Sequence, residues 1–235
     1  SEAVAEEIST LIRTRADEGR TAVLGLATGS TPTRLYAELV RRHREEGLSF
    51  ANVITFNLDE YLGLGHEHPE SYWHFMHQHL FGHVDIPPSQ VNIPNGLATL
   101  DAVESTCAAY EQAIADAGGL DFQVLGIGGN GHIGFNEPGA SIDSRTRLID
   151  LNEITIRDAA AAFGGAGRVP RQAITMGVAS ILGARRIALL AFGEGKRSIV
   201  QRALTAAVGP EVPATYLQTH PEVTYFLDEA AGPAS

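Results

Sequence analysis

A single cysteine, Cys107, in 235 residues means that no disulfide can form within the chain. That excludes a disulfide-stapled secreted scaffold and suits a reducing compartment. Basic residues are also scarce: 17 Lys and Arg stand against 28 Asp and Glu, a formal charge of −11. Such a balance argues against nucleic acid or an anionic membrane surface as a partner. Any site for an anion must therefore be made locally, against the field of the whole protein. Nor does any apolar run approach the ~20 residues needed to span a bilayer. The opening stretch, Ser1 to Glu7, is acidic and amphipathic rather than a signal or transit peptide, so the expected compartment is the cytoplasm.

The chain has the composition of an ordinary globular protein, 44% apolar and 19% charged. Its length suits one large domain with a well-buried core. Val4, Ile8, Leu11 and Ile12 predict an opening amphipathic helix over 3–17. Short apolar runs then alternate with helical spacing. Strands are predicted at 22–27, 53–56, 122–127, 187–192 and 223–227, with helices from about 33, near 70–81, at 101–117 and near 196–207. This cadence predicts a doubly wound α/β fold: a mostly parallel, Rossmann-like sheet with helices on both faces, in one domain. The Gly-rich patch Gly164-Gly165-Ala166-Gly167 follows an alanine run and predicts a mobile flap around 151–169. Cys107, in a helical stretch, reads as core packing rather than as a nucleophile.

Sheets of this kind bind ligands beyond the carboxyl ends of their strands. After the first strand comes Ala27-Thr28-Gly29-Ser30-Thr31-Pro32. Ser30 or Thr31 can cap the next helix and Pro32 suits its first turn, so the free amides and hydroxyls face an anion. An ordinary strand-to-helix turn is the alternative. The loop is not a Walker motif, because the Gly-Lys-Ser/Thr ending is absent. Gly193-Glu194-Gly195-Lys196 opens another helix, and a lysine placed against the helix dipole there suits a phosphate grip, a solvated surface lysine being the alternative. Asp59, in the loop after Phe56, is a candidate general base, or else a capping residue. The most informative loop is 128–138, where His132 can exchange a proton near neutral pH and Glu137 follows five residues on. His66, His68, His74, His77, His79 and His83 are conspicuous, but their spacing matches no zinc pattern, and no metal is expected.

Together, Thr28-Gly29-Ser30-Thr31-Pro32, Phe56-Asn57-Leu58-Asp59-Glu60-Tyr61, His68-Pro69-Glu70-Ser71-Tyr72 and Gly131-His132-Ile133-Gly134-Phe135-Asn136-Glu137-Pro138 resemble the glucosamine-6-phosphate deaminase family. They run in that family's order and, with the Gly-x-x-Lys turn, cover most of the chain. The resemblance implies a cofactor-free aldose–ketose isomerisation coupled to deamination, from glucosamine 6-phosphate and water to fructose 6-phosphate and ammonia. It makes Asp59 the base that moves a proton from C2 to C1, and His132, assisted by Glu137, the group that opens the sugar ring. Thr28, Gly29, Ser30, Thr31 and Lys196 would hold the 6-phosphate.

Two positions depart from the family pattern. Asn130 stands where an Asp is frequent in the ring-opening group. An arginine usual in the flap is missing from Ala159-Ala160-Ala161-Ala162-Phe163-Gly164-Gly165, so either Arg157, Arg168 or Arg171 substitutes for it, or the phosphate is held more weakly, or the substrate is an epimeric amino sugar phosphate. The chain ends soon after its last strand, like the family's short form, so a monomer or small homo-oligomer without allosteric control is expected. The rival readings are a 6-phosphogluconolactonase-like hydrolase and the sugar-phosphate-sensing domain of a regulator. The acidic balance disfavours the second.

Overall fold

The apolar runs become strands because each can be covered on both sides. The computed structural model describes residues 1–232. In chain order its elements are α1 (Glu2–Asp17), β1 (Ala22–Leu26), α2 (Thr33–Glu46), β2 (Val53–Asn57), β3 (Asp59–Tyr61), α3 (Tyr72–His79), β4 (Val91–Asn92) and α4 (Val103–Asp116). They continue with β5 (Phe122–Leu125), β6 (Arg147–Asp150), α5 (Glu153–Ala159), β7 (Gln172–Thr175), α6 (Val178–Leu182), β8 (Ile187–Ala191), α7 (Arg197–Thr205) and β9 (Val223–Leu227).

Six strands form a parallel sheet in the order β4-β2-β1-β5-β8-β9. Side chains alternate between its faces. Ala22, Leu24 and Leu26 of β1 join Ile8 and Ile12 of α1 and Leu35, Tyr36 and Leu39 of α2 in one core. Val23 points the other way, into a second core with Ile114 of α4, Ile181 of α6 and Ile199, Val200 and Ala203 of α7. Double coverage is why these strands read as unbroken apolar runs rather than as alternating ones. Gly25 is an exception with a cause. The Gln123 side chain lies over it, and a Cβ there would sit 2.0 Å from Gln123 Oε1.

From β1 the chain winds outward through β2 to β4, then returns to β5 on the other side and proceeds to β8 and β9. The winding therefore reverses between β1 and β5, and the crevice above that pair is the natural ligand site.

Absent from the sequence-based expectation are the two-residue edge strand β4, the short helices α5 and α6, and a second sheet. β3, β7 and β6 form a separate antiparallel sheet in the order β3-β7-β6. Asp59 is thus not in a loop but opens a short strand, paired with Thr175. At three or four residues these strands are too short to show a period, and β6 is half-exposed with no apolar run to mark it.

Asp121 joins α1, β1 and the turn before β8. Its carboxylate accepts from Val23 N at 3.0 Å, from Arg185 Nη1 at 2.7 Å and from Arg15 Nη2. Asp121 is buried, so removing it strands Arg15 and a buried amide together. Asp121→Ala should cost about 3–5 kcal/mol in urea unfolding, well above an ordinary surface change.

Candidate active site

At the switch point lies a cavity of about 750 Å³. Thr28, Gly29, Ser30, Thr31, Asp59, His132 and Lys196 all line it, although they come from four separate stretches of chain. Asn130 and Glu137 stand behind His132.

The loop after β1 departs from the capping expectation in detail. Neither Ser30 nor Thr31 caps α2; Pro32 occupies the N-cap position, with no side-chain cap. Gly29 has φ +92°, a conformation costly for any residue with a Cβ. That turn brings the chain onto the helix axis with Pro32 already in helical geometry, and Thr33 Oγ1 donates back to the Ser30 carbonyl at 2.8 Å. The amides of Gly29, Ser30 and Thr31 and the hydroxyls of Ser30 and Thr31 have no hydrogen-bond partner among the described residues. Free donors at the start of a 14-residue helix suit an anion.

Asp59 is buried, and its carboxylate makes no hydrogen bond among the described residues. Burial, aided by the charge of adjacent Glu60, pushes its pKa up to about 8. A carboxyl so placed is poised between acid and base near neutral pH. Gly134 (φ +56°) packs beside it, and a Cβ there would lie 3.2 Å from Thr175 Oγ1 and 3.4 Å from Asp59 Oδ2.

In the loop after β5 the glycines make room for an imidazole. A Cβ on Gly128 would fall 2.2–2.4 Å from His132 ring atoms, so the ring lies flat against glycine backbone. His132 Nδ1 is 3.3 Å from Glu137 Oε2. The ring is not aimed along that line, and Nδ1 has no aligned hydrogen bond, so the contact is an electrostatic one. Glu137 also accepts from Asn130 Nδ2 at 2.7 Å and from Thr155 Oγ1. Burial would raise its pKa, but His132 and these donors outweigh it, and Glu137 lies below the usual carboxylate range. Asn130 does not touch the ring; its Oδ1 accepts the His132 backbone amide at 3.1 Å. It shapes the loop and orients Glu137.

Lys196 sits at the N-cap of α7, and its Nζ donates to the Ile127 carbonyl at 2.7 Å, tying the loop after β8 to the end of β5. Burial pulls its pKa below the ordinary lysine value, with the charge of Asp158 acting the other way. α5 and the turn after it line the cavity with Thr155, Asp158, Ala159, Ala161, Ala162 and Phe163. None of Arg157, Arg168 and Arg171 lines it, which favours a weaker phosphate grip over substitution by one of these arginines. Arg171 pairs with Glu153 at 2.8 Å, and Arg168 Nη1 is the nearest atom to the space beside Gly164. Lys196 is the one Lys or Arg lining the cavity.

Sequence reasoning also missed an aromatic wall. Tyr61 packs against Tyr72, Phe135 and Phe163 with ring centroids 5.0, 5.4 and 5.3 Å away. Tyr61 and Tyr72 lay within the quoted motifs, whereas nothing local marked Thr155 or Phe163 as site residues. Among the described residues no group of three or more His, Cys, Asp or Glu is placed to hold a metal.

A buried carboxyl of raised pKa and a histidine, set in a cavity with free donors at its other end, equip an α/β enzyme that moves protons. Comparison gives the family. The model for glucosamine-6-phosphate isomerases/6-phosphogluconolactonase matches residues 1–226, and the chain belongs to that family. A glucosamine-6-phosphate deaminase of Rhodopirellula baltica is 51% identical over 210 residues, covering 89% of this chain and 83% of its own length. Another, from a Geobacillus species, is 48% identical over 230 residues, covering 98% of this chain and 91% of its own. A solved monomeric glucosamine-6-phosphate deaminase superposes with TM-score 0.92 at 44% identity, over 97% of this chain and 92% of that one. The 6-phosphogluconolactonase of Leishmania guyanensis, at 23% identity, TM-score 0.75 and 97% and 92% coverage, shares the fold.

Two outcomes test this geometry. Gly128→Ala should displace the His132 ring while leaving the fold intact, seen as shifted His132 ring resonances with Tm within about 4 °C of the parent. The second concerns pH. Asp59 holds its proton more tightly folded than unfolded, so its contribution favours the folded state below pH 4 and is lost as pH rises through about 8. Asp59→Asn should therefore melt close to the parent at pH 4 and several degrees above it at pH 8.5.

Proposed function

We propose that this chain is a glucosamine-6-phosphate deaminase, converting glucosamine 6-phosphate and water into fructose 6-phosphate and ammonia. The observation that carries the reading is convergence: the segments bearing Thr28–Thr31, Asp59, His132 and Lys196 meet in one switch-point cavity. The relatives named above support the same assignment.

In this reading the 6-phosphate lies against the free amides and hydroxyls of Gly29, Ser30 and Thr31, with Thr28 beside them. Lys196 turns from the Ile127 carbonyl to meet it. His132, its charge balanced by Glu137 on the Nδ1 side, exchanges a proton with the ring oxygen and opens the pyranose. Asn130 and Thr155 hold Glu137 for that task. Asp59 removes the C2 proton and returns it at C1. The C2 imine so formed takes up water and releases ammonia, so the chemistry needs only bound protons and one water. Thr155 and Phe163 make residues 151–169 a flap that shields these steps. The protein is read as a cytoplasmic enzyme acting as a monomer. A solved monomeric deaminase supports that assembly, and among the described residues no helix is long and apolar enough to cross a membrane.

The decisive assay is ammonia release from glucosamine 6-phosphate, with acid release from 6-phosphogluconolactone measured beside it. Ammonia with no lactone hydrolysis is expected; the reverse would overturn the reading. Asp59→Asn should lower kcat by about 10²–10⁴ with substrate still bound. Lys196→Ala should raise KM about tenfold or more, as loss of a charge-assisted contact does. Because the base must be ionised, kcat/KM should rise with pH up to about 8.

A further inference from the structure

Glu60 has no part in the steps above, yet it is almost completely buried, with 2% of its surface exposed. Its carboxylate is fully engaged by backbone. Oε1 accepts from Tyr61 N at 2.9 Å and from Tyr72 N at 3.0 Å, and Oε2 accepts from Trp73 N at 3.0 Å. Tyr72 and Trp73 open α3, whose N-cap is Ser71. An anion at that end satisfies amides that the helix itself leaves free. Gly96 closes the space behind it, for a Cβ there would sit 3.0 Å from Glu60 Cγ. The neighbours on either side belong to the site. Asp59 precedes Glu60 on β3, and Tyr72 lines the cavity with its hydroxyl 3.4 Å from that of Tyr61.

We propose that Glu60 is the positioning residue of this site, its carboxylate clamping the strand that carries Asp59 to the helix that carries Tyr72. The proposal rests on the reading of Asp59 as the base. Glu60 acts through its neighbours and touches no substrate atom. It fixes the separation of β3 and α3, hence the place of the base relative to the phenol. Its charge is a second lever: burial raises the pKa of Glu60 itself to about 7, so above that pH it is ionised, and a like charge on the adjacent residue makes Asp59 hold a proton more tightly. A base that must carry one proton from C2 to C1 without losing it to water gains from that grip.

The other groups facing Asp59 leave this lever uncancelled. Tyr61 on its own strand, Tyr72 from α3 and Tyr110 from α4 are phenols whose pKa values burial raises, so they stay neutral. β7 and the loop after β5 offer Thr175 and Gly134. Glu70, His132 and Lys196 line the same cavity, and among the described residues neither Asp59 nor Glu60 forms a salt bridge with His132 or Lys196.

The test is a pair of variants read by pH profile. Glu60→Gln keeps the volume but turns an amino group toward amide donors and removes the charge. The acid limb of kcat/KM should move down by about one pH unit, and kcat should fall about tenfold. Glu60→Asp keeps the charge but withdraws the carboxylate by one methylene, so kcat should fall while the limb stays in place. A Glu60→Gln profile that superposes on the parent's, with kcat within twofold, overturns the proposal. So does a Glu60→Asp limb that moves as far as that of Glu60→Gln. Should Glu60→Gln not fold, the Glu60→Asp pH profile and kcat decide alone. Asp59→Asn separates this from the underlying reading. Retained turnover there removes the base assignment, whereas a dead Asp59→Asn with an unmoved Glu60→Gln limb removes only the role of Glu60.

Discussion

A parallel sheet wound in two directions has one place where consecutive crossovers leave on opposite sides, and the backbone there cannot close over its own strand ends. In this protein that place is the gap between β1 and β5. Everything chemical depends on it. The loop after β1 turns sharply at Gly29 and leaves its amides unbonded; the loop after β5 lays His132 on Gly128; Lys196 reaches in from the loop after β8. The two cores on either side hold the strand ends rigid, so the loops can be irregular without being loose.

The small antiparallel sheet adds what the main sheet cannot. It carries Asp59 into the cavity on a paired strand rather than on a loop, and it backs that strand with β7. A carboxyl without hydrogen bonds, buried and beside another carboxyl, is expensive for the fold. Ordered backbone around it is what allows the cost to persist. The same region departs most from what local sequence foretells.

That departure has a physical reason. The central sheet was legible because doubly covered strands such as 187–191 leave unbroken apolar runs and because helices such as α2 repeat at i, i+3 and i+4. That the turn at Thr28–Thr31, Asp59 and His132 share one cavity was legible from glycines and motifs at strand ends. β3, β4, β6 and β7 are two to four residues long and, unlike β5, do not lie in a longer apolar run, so they were not legible. The cap of α2 was misassigned because Ser and Thr are good caps in general, while here Pro32 enters the helix first. The substitute for the flap arginine could not be found by proximity in sequence. Arg157, Arg168 and Arg171 do not line the cavity, whereas Ala159, Ala161 and Ala162 do.

Trp73 is the chain's sole tryptophan, and its amide is one of the three that hold Glu60. Its indole is sandwiched between His66 and His77, with ring centroids at 4.3 and 3.6 Å and near-parallel planes. Protonated imidazoles quench indole emission on contact. The protein therefore carries a native optical reporter at the first turn of α3, so the state of the strand–helix junction can be followed by intrinsic fluorescence without a label.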